Sequence, residues 1–197
     1  MNRKLRIGLA QINPTVGDFS GNLEIIKSYI NSARQSGADI VIFPEMAVCG
    51  YPPEDLLFKP SFIQSNLSAL EQLMSAVSGI TVVVGFVDKV GGGLYNAAAV
   101  IEEGSLAGVY HKAHLPNYGV FDEQRYFQPA KTCPVFDLCG VKIGINICED
   151  IWKDNGPANI QARTGAELIF NIGASPYHYG KYLVREQLLK TRAVENQ

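Results

Sequence analysis

Residues 39–45 of the chain are DIVIFPE, a nearly continuous apolar run that ends in proline and glutamate. A short run of β-branched and aromatic residues without polar alternation is typical of a β-strand that is covered on both faces. Proline has no backbone N–H and interrupts strand pairing, so Pro44 predicts the end of the strand. The stretch therefore predicts a buried strand with the carboxylate of Glu45 at its carboxyl end.

Short β-rich runs and helical stretches alternate on both sides of this strand. Apolar residues recur at helical spacing near residues 22–35, 62–77, 157–164 and 181–196, and β-rich runs cover residues 5–10, 80–87, 94–101, 105–111, 134–138, 141–147 and 167–172. Glycine-containing turns lie between the β-rich runs 80–87, 94–101 and 105–111, and another lies between the runs 134–138 and 141–147. These turns predict antiparallel hairpins. Helices combined with hairpins predict an α/β fold with a mixed sheet.

The composition excludes several classes of protein. The chain has 197 residues, of which 47% are hydrophobic and 18% are charged, and its net charge is −2. This balance gives no reason to expect nucleic acid or an anionic membrane surface as a partner. No apolar run approaches the roughly 20 residues that span a bilayer, and the first residues lack the apolar segment of a signal peptide. We therefore expect a cytoplasmic protein, whose four cysteines, none in a CxxC pair, are reduced.

Three polar side chains follow predicted strands directly. Glu45 follows IVIFP, Lys112 follows SLAGVYH, and Cys148 follows VKIGINI. Side chains at the ends of strands can be aimed into one crevice by a rigid sheet. A thiol, a carboxylate and an amine are sufficient for amide hydrolysis, since they supply a nucleophile, a base and a cation for the oxyanion.

Each of these residues also has a simpler interpretation. A cysteine at a strand end is often a small buried hydrophobe, and a glutamate or lysine there is often a solvated charge. Cys148 could alternatively form a Cys–His pair or a metal site with His111 and His114, although no further ligand has suitable spacing. The glycines at 91–93 suggest a hairpin turn rather than a phosphate loop, because no Lys-Ser/Thr pair follows them.

Three longer segments resemble the signature blocks of the nitrilase, or carbon–nitrogen hydrolase, superfamily. They are FPEMAVCGYPPEDL at 43–56, HKAHLPNYGVFDEQRYF at 111–127 and NICEDIW at 146–152. More narrowly, YPPEDLL and LPNYGVFDEQRYF resemble the glutaminase domain of glutamine-dependent NAD+ synthetases. The resemblance implies a nitrilase-like α-β-β-α sandwich with mixed β-sheets, and a homo-oligomer.

The resemblance also implies a role for each site residue. Glu45 would be the general base, Lys112 the oxyanion stabiliser and Cys148 the nucleophile, with Lys112 lowering the pKa of the thiol. Glu123 would orient the lysine, and the backbone N–H of Glu149 would complete the oxyanion hole. The glutamine pocket would comprise five side chains: Tyr118, Phe121, Glu149, Ser175 and Lys181.

The implied reaction is hydrolysis of the glutamine side-chain amide to glutamate and ammonia through a cysteine thioester. The ammonia would supply ATP-dependent NAD+ synthesis from deamido-NAD+ by a synthetase domain. The chain has no pyrophosphate loop of SGGxDS type, so we expect no cofactor here, and ATP and Mg²⁺ only in that other domain. The chain stops inside a helical pattern, so residues 1–197 are predicted to be one domain, truncated at its C-terminal end, from the N-terminal part of a longer polypeptide.

Two alternative functions remain open from the sequence. The first is a stand-alone amidase or carbamoylase of the nitrilase branch, which would differ in the pocket that selects the substrate. The second is a non-catalytic interaction domain that keeps the fold without turnover.

Overall fold

The computed structural model of the chain describes residues 4–196. Its strands are β1 Ile7–Leu9, β2 Ile40–Ile42, β3 Thr81–Val90, β4 Gly93–Glu102, β5 Ser105–His111, β6 Val135–Leu138, β7 Val141–Ile147 and β8 Leu168–Ile172. Its α-helices are α1 Phe19–Gln35, α2 Pro60–Met74, α3 Pro157–Arg163 and α4 Lys181–Glu195. Every predicted helix and strand is present, with small shifts at the ends. Residues 1–3 and Gln197 of the predicted domain lie outside the described residues.

The strands form two mixed sheets rather than one. A five-stranded sheet has the order β1-β2-β3-β4-β5, and a three-stranded sheet has the order β6-β7-β8. The predicted hairpins β3/β4, β4/β5 and β6/β7 are antiparallel, while β1, β2 and β3 pair in parallel, as do β7 and β8. Hydrophobic patterning identifies strands but does not say which strands share a sheet.

Strand β2 is buried on both faces, as its sequence predicts. Val41 packs in a core cluster with Ile26 of α1 and Leu73 of α2. Ile40 and Ile42 project to the opposite face and pack in a second cluster with residues of the three-stranded sheet. Successive side chains of a strand point to opposite faces, so one apolar run contributes to two cores.

The layers are therefore helix, sheet, sheet and helix. Helices α1 and α2 cover the outer face of the five-stranded sheet, and α3 packs against β7 on the other side of the molecule. In the described part of the chain, no helix has the length and apolar character needed to cross a bilayer.

The turns after β2, β5 and β7 carry the predicted chemistry. Glu45 follows β2 by three residues, Lys112 follows β5 directly, and Cys148 follows β7 directly. Gly85 of β3 packs under the first of these turns, where an added Cβ would collide with the backbone of Pro44 and Met46. A side chain at residue 85 would therefore displace the turn that holds Glu45.

Candidate active site

A buried lysine between two carboxylates forms the centre of the site. Lys112 Nζ donates to Glu45 Oε1 at 2.8 Å and to both carboxylate oxygens of Glu123 at 2.8 Å. The relative exposures of Lys112, Glu45 and Glu123 are 0%, 1% and 5%. Charged groups of this kind are stable in a protein interior only when they are paired and hydrogen-bonded, so the three side chains form one unit.

Among residues 4–196, three further groups donate hydrogen bonds to the two carboxylates, and none of them was predicted from the sequence. Asn96 Nδ2 donates to Glu45 Oε1 at 2.7 Å and to Glu123 Oε2 at 3.3 Å. Tyr51 Oη donates to Glu123 Oε1 at 3.0 Å, and the backbone N–H of Ala174 donates to Glu45 Oε2 at 2.9 Å. Asn96 could have been found as the polar residue inside the apolar run of β4. A backbone N–H such as that of Ala174 has no signal in the sequence.

The carboxylates keep Lys112 charged. Burial alone lowers the pKa of Lys112, but the negative charges of Glu45 and Glu123 outweigh it, and the net pKa is raised. Burial, together with the nearby charge of Glu45, raises the pKa of Glu123, and the charge of Lys112 partly offsets this. Lys112 is therefore an ammonium group at neutral pH, able to donate hydrogen bonds but not to accept a proton.

Cys148 lies beside this unit at the start of a short 3₁₀ helix, Cys148–Trp152. Its φ angle is 45°, in the left-handed region that non-glycine residues rarely adopt. The thiol is 5% exposed and interacts electrostatically with Glu45 and Lys112. Gly173 packs against it, since an added Cβ at residue 173 would lie 3.7 Å from the Cβ of Cys148. The strand ends thus converge on one place.

The net pKa of the Cys148 thiol is raised, although the predicted lowering effect of Lys112 is present. Burial and the charge of Glu45 raise the pKa of Cys148 to about 12, although Lys112 acts in the lowering direction as expected. The net shift is upward because an almost fully enclosed thiolate loses its hydration. The resting side chain is consequently a neutral thiol, and a base would have to take its proton before the sulfur could act as a nucleophile.

This raised pKa predicts a simple pH dependence of alkylation. A thiol whose folded pKa lies far above neutrality stays protonated, so its thiolate fraction grows about ten-fold per pH unit from pH 7 to 9. The rate of iodoacetamide alkylation of Cys148, followed by peptide mass spectrometry, should rise in this way without a plateau. Free cysteine, with its pKa near 8.5, begins to level off in the same range and is the reference. A plateau for Cys148 below pH 8 would contradict the raised pKa.

The five predicted pocket residues comprise one contacting group of three and two separate residues. Tyr118 Oη donates to Glu149 Oε2 at 2.8 Å, and the ring of Phe121 contacts Tyr118 edge-on at 5.6 Å. Tyr118 and Glu149 also line a cavity of about 580 Å³. Ser175 follows Ala174, and its buried Oγ has no hydrogen-bond partner within residues 4–196. Lys181 Nζ instead donates to the carbonyl of Pro176 at 2.8 Å, within its own loop.

The two histidines that flank Lys112 have other contacts. His111 Nε2 lies 2.7 Å from Asp88 Oδ2, and the His111 ring stacks on Tyr95 at 4.3 Å. The backbone N–H of His114 donates to Asp150. Within residues 4–196, no group of three or more His, Cys, Asp or Glu side chains is arranged to hold a metal ion. The arrangement around Cys148 thus supplies a thiol, carboxylates and a fixed cation.

This fold and this set of side chains define a class of protein. The carbon–nitrogen hydrolase family matches residues 6–197, and the chain belongs to that family. Its architecture of two mixed sheets flanked by helices is nitrilase-like, as the sequence motifs predicted.

Similar proteins within this family include glutamine-dependent NAD+ synthetases. The glutamine-dependent NAD(+) synthetase of Thermotoga maritima is 44% identical over 98% of this chain and 34% of its own length. A solved structure of the glutamine-dependent NAD+ synthetase from Acinetobacter baumannii, in complex with ADP, has a TM-score of 0.91 and 39% identity over 95% of this chain and 35% of its own. The chain thus spans about a third of the length of the curated relatives it matches.

A second kind of relative is an amidase. An amidase from Nesterenkonia sp. AN1, a variant with the acetamide moiety of fluoroacetamide added covalently at its active-site cysteine, has a TM-score of 0.82 and 25% identity. The match covers 98% of this chain and 72% of the amidase.

Proposed function

We propose that this chain hydrolyses the side-chain amide of glutamine to glutamate and ammonia, with Cys148 as the nucleophile. The observation that carries the proposal is the position of the buried Lys112. Its ammonium group is fixed between Glu45 and Glu123 and interacts electrostatically with Cys148. The similarity to glutamine-dependent NAD+ synthetases supports glutamine as the substrate.

The hydrogen-bond counts support different roles for the two carboxylates. A carboxylate oxygen has two favourable acceptor positions. Both oxygens of Glu123 accept two donors each, from Lys112 and either Tyr51 or Asn96. Glu45 Oε1 is also filled, but among residues 4–196 Glu45 Oε2 accepts only the N–H of Ala174. Glu45 Oε2 therefore keeps an acceptor position for a proton, and Glu123 serves to hold Lys112.

The first half of the reaction acylates the enzyme. Glu45 Oε2 takes the proton of Cys148 as the sulfur attacks the side-chain carbonyl carbon of glutamine, and the C=O electron pair moves to oxygen. The oxyanion faces Lys112 Nζ and the backbone N–H of Glu149. When the C–N bond breaks, Glu45 returns the proton to nitrogen, ammonia leaves, and a γ-glutamyl thioester remains.

The second half regenerates the thiol. Glu45 takes a proton from water, the oxygen adds to the thioester carbon, and the C–S bond breaks. The proton returns to sulfur and glutamate leaves. The raised pKa of Cys148 means that a free thiolate is costly in this enclosed site. The proton therefore has to reach sulfur as the C–S bond breaks.

Recognition of the free amino acid would fall to the predicted pocket. Glu149 can pair with the α-ammonium of glutamine, and the unpartnered Oγ of Ser175 can bond to its α-groups. Phe121 would hold Tyr118 against Glu149. Lys181 would have to release the carbonyl of Pro176 before it could reach the α-carboxylate.

The ammonia would serve a synthetase domain, and the relatives named glutamine-dependent NAD(+) synthetase support this. On the resemblance, that domain would make NAD+ from deamido-NAD+ with ATP. Any ATP and Mg²⁺ would be bound by that domain rather than by residues of this chain. We further expect a homo-oligomer, on the resemblance alone.

A stand-alone amidase is the second candidate, because the amidase match covers 72% of that protein against 34% of the Thermotoga synthetase. A substrate panel distinguishes the two. Ammonia release by the purified protein should be at least about 100-fold faster, as kcat/KM, with glutamine than with acetamide or propionamide, because only glutamine has α-groups for the pocket. A preference for the simple amides would replace the glutaminase proposal by the amidase.

A further inference from the structure

We propose that Asp150 is a positioning residue that fixes the position of Lys112 relative to Cys148. The proposal rests on the proposed function, in which these two side chains act on the same carbonyl group. Asp150 lies two residues after Cys148, is fully buried, and takes no part in the mechanism above.

The carboxylate of Asp150 accepts four hydrogen bonds. Oδ1 accepts from the backbone N–H groups of Ala113 at 3.2 Å and His114 at 2.8 Å. Oδ2 accepts from Tyr110 Oη at 2.7 Å and from the backbone N–H of Ile147 at 3.0 Å. A carboxylic acid would place its own O–H against one of these donors, so the set fits the ionised form.

These donors belong to the two strand ends that carry the chemistry. Tyr110, Ala113 and His114 surround Lys112 in sequence, and Ile147 immediately precedes Cys148. Strand β5 lies in the five-stranded sheet and β7 in the three-stranded sheet. No backbone ladder therefore sets the position of Lys112 relative to Cys148. The Asp150 carboxylate is a direct polar link between the two strand ends.

Hydrogen bonds rather than an ion pair compensate the charge of Asp150. Within residues 4–196, no lysine, arginine or histidine side chain bonds to it. Burial raises the pKa of the Asp150 carboxyl, and the bonds from Tyr110, Ile147 and His114 act in the opposite direction. A buried carboxylate that is hydrogen-bonded in this way fixes the positions of its donors relative to one another, and these donors come from two different segments of the chain.

Asp150→Asn tests this role with little change of shape. The new NH₂ group is a donor that replaces one carboxylate oxygen, so the variant loses either the Ala113 and His114 bonds at the Lys112 strand end or the Ile147 bond at the Cys148 strand end. Displacements near 1 Å in an active site cost about 100-fold in rate. We expect kcat per active site to fall about 10- to 100-fold, with active sites counted by titration with a diazoketone analogue of glutamine. The KM for glutamine should stay within about three-fold, since Tyr118 and Ser175 do not bond to Asp150.

The matched control is Gln161→Met, which also removes a fully buried polar anchor. Gln161 Nε2 donates to the carbonyls of Ile145 at 2.7 Å and Pro134 at 3.2 Å, away from the site. This variant should lose thermal stability yet keep kcat per titrated site within two-fold. A purely structural role of Asp150 would give the same pattern for Asp150→Asn. An unchanged kcat per titrated site in Asp150→Asn therefore overturns the proposal.

Two further measurements keep the result interpretable. Iodoacetamide alkylation of Cys148 at pH 8 needs no glutamine. Its rate should fall at least three-fold in Asp150→Asn, because a displaced Lys112 offsets less of the free-energy cost of forming a buried thiolate. If the wild type releases no ammonia from glutamine, the proposed function fails while this comparison still decides the role of Asp150. If Asp150→Asn does not fold, Tyr110→Phe removes one of the four donors, and a kcat per titrated site within two-fold of wild type overturns the proposal.

Discussion

Replacement of Cys148 by alanine is expected to abolish ammonia release from glutamine, with kcat reduced on the order of 10⁵-fold or more. The reaction has no other path to the thioester, because water would have to attack the amide without a covalent intermediate. Glu45, Lys112 and Glu123 remain in place in this variant, so the protein should fold. The measurement is a coupled assay for ammonia with glutamine at saturation.

Cys49→Ala is the matched control for the loss of a buried thiol. Cys49 is fully buried, burial raises its pKa to about 12, and its Sγ donates to the carbonyl of Gly50. Both cysteines are buried and have a raised pKa, but Cys148 also interacts electrostatically with Glu45 and Lys112. Cys49→Ala should cost about 1 kcal/mol of stability and keep kcat within about three-fold. Glutaminase activity in Cys148→Ala would exclude the proposed mechanism.

Replacement of Lys112 by methionine should affect both activity and stability. The variant leaves Glu45 and Glu123 enclosed without a cation, and breaking a buried pair in this way costs about 3–5 kcal/mol. The kcat should fall on the order of 10³-fold, because the fixed charge that faces the oxyanion is lost. Urea unfolding and the ammonia assay measure the two effects.

A second substitution and a change of pH separate these effects. Lys112→Met/Glu123→Gln removes one of the two stranded carboxylates, so it should recover part of the stability but none of the activity. Burial and the charge of Glu45 already raise the pKa of Glu123 in the wild type, and Lys112→Met removes the lowering effect of the lysine. A carboxyl with a folded pKa above its unfolded value favours folding at low pH, and this contribution is lost as pH rises. The stability deficit relative to wild type should therefore be smaller at pH 5.5 than at pH 7.5.

Lys190→Met is the control for the loss of an ordinary lysine. Lys190 pairs with Glu186 on α4 at 2.7 Å, and both side chains are more than half exposed. Exposed pairs of this kind contribute little, so the free energy of unfolding should change by less than about 0.5 kcal/mol. A similarly small change in Lys112→Met would contradict the buried unit described above.

The helices and strands could be predicted from the sequence because their signals are local. Apolar spacing, Pro44 and the glycine turns act over a few residues, and they identified each α-helix, strand and hairpin. The same signals placed Glu45, Lys112 and Cys148 at the ends of strands, and the three motifs indicated the family. Phe121, Tyr118 and Glu149, which come from two of those motifs, are also in contact.

Interactions between distant segments were decided only by the tertiary structure. Lys112 and Glu45 are 67 residues apart, and Ala174 and Glu45 are 129 residues apart. Neither contact has a periodic signature, because the first depends on the order of the strands within the five-stranded sheet and the second on how the two sheets stack. The raised pKa of Cys148 follows from the same packing, since burial is a property of the assembled layers rather than of the segment that carries the thiol. The four bonds of Asp150 arise in the same way, because their donors come together only when β5 and β7 meet across the two sheets.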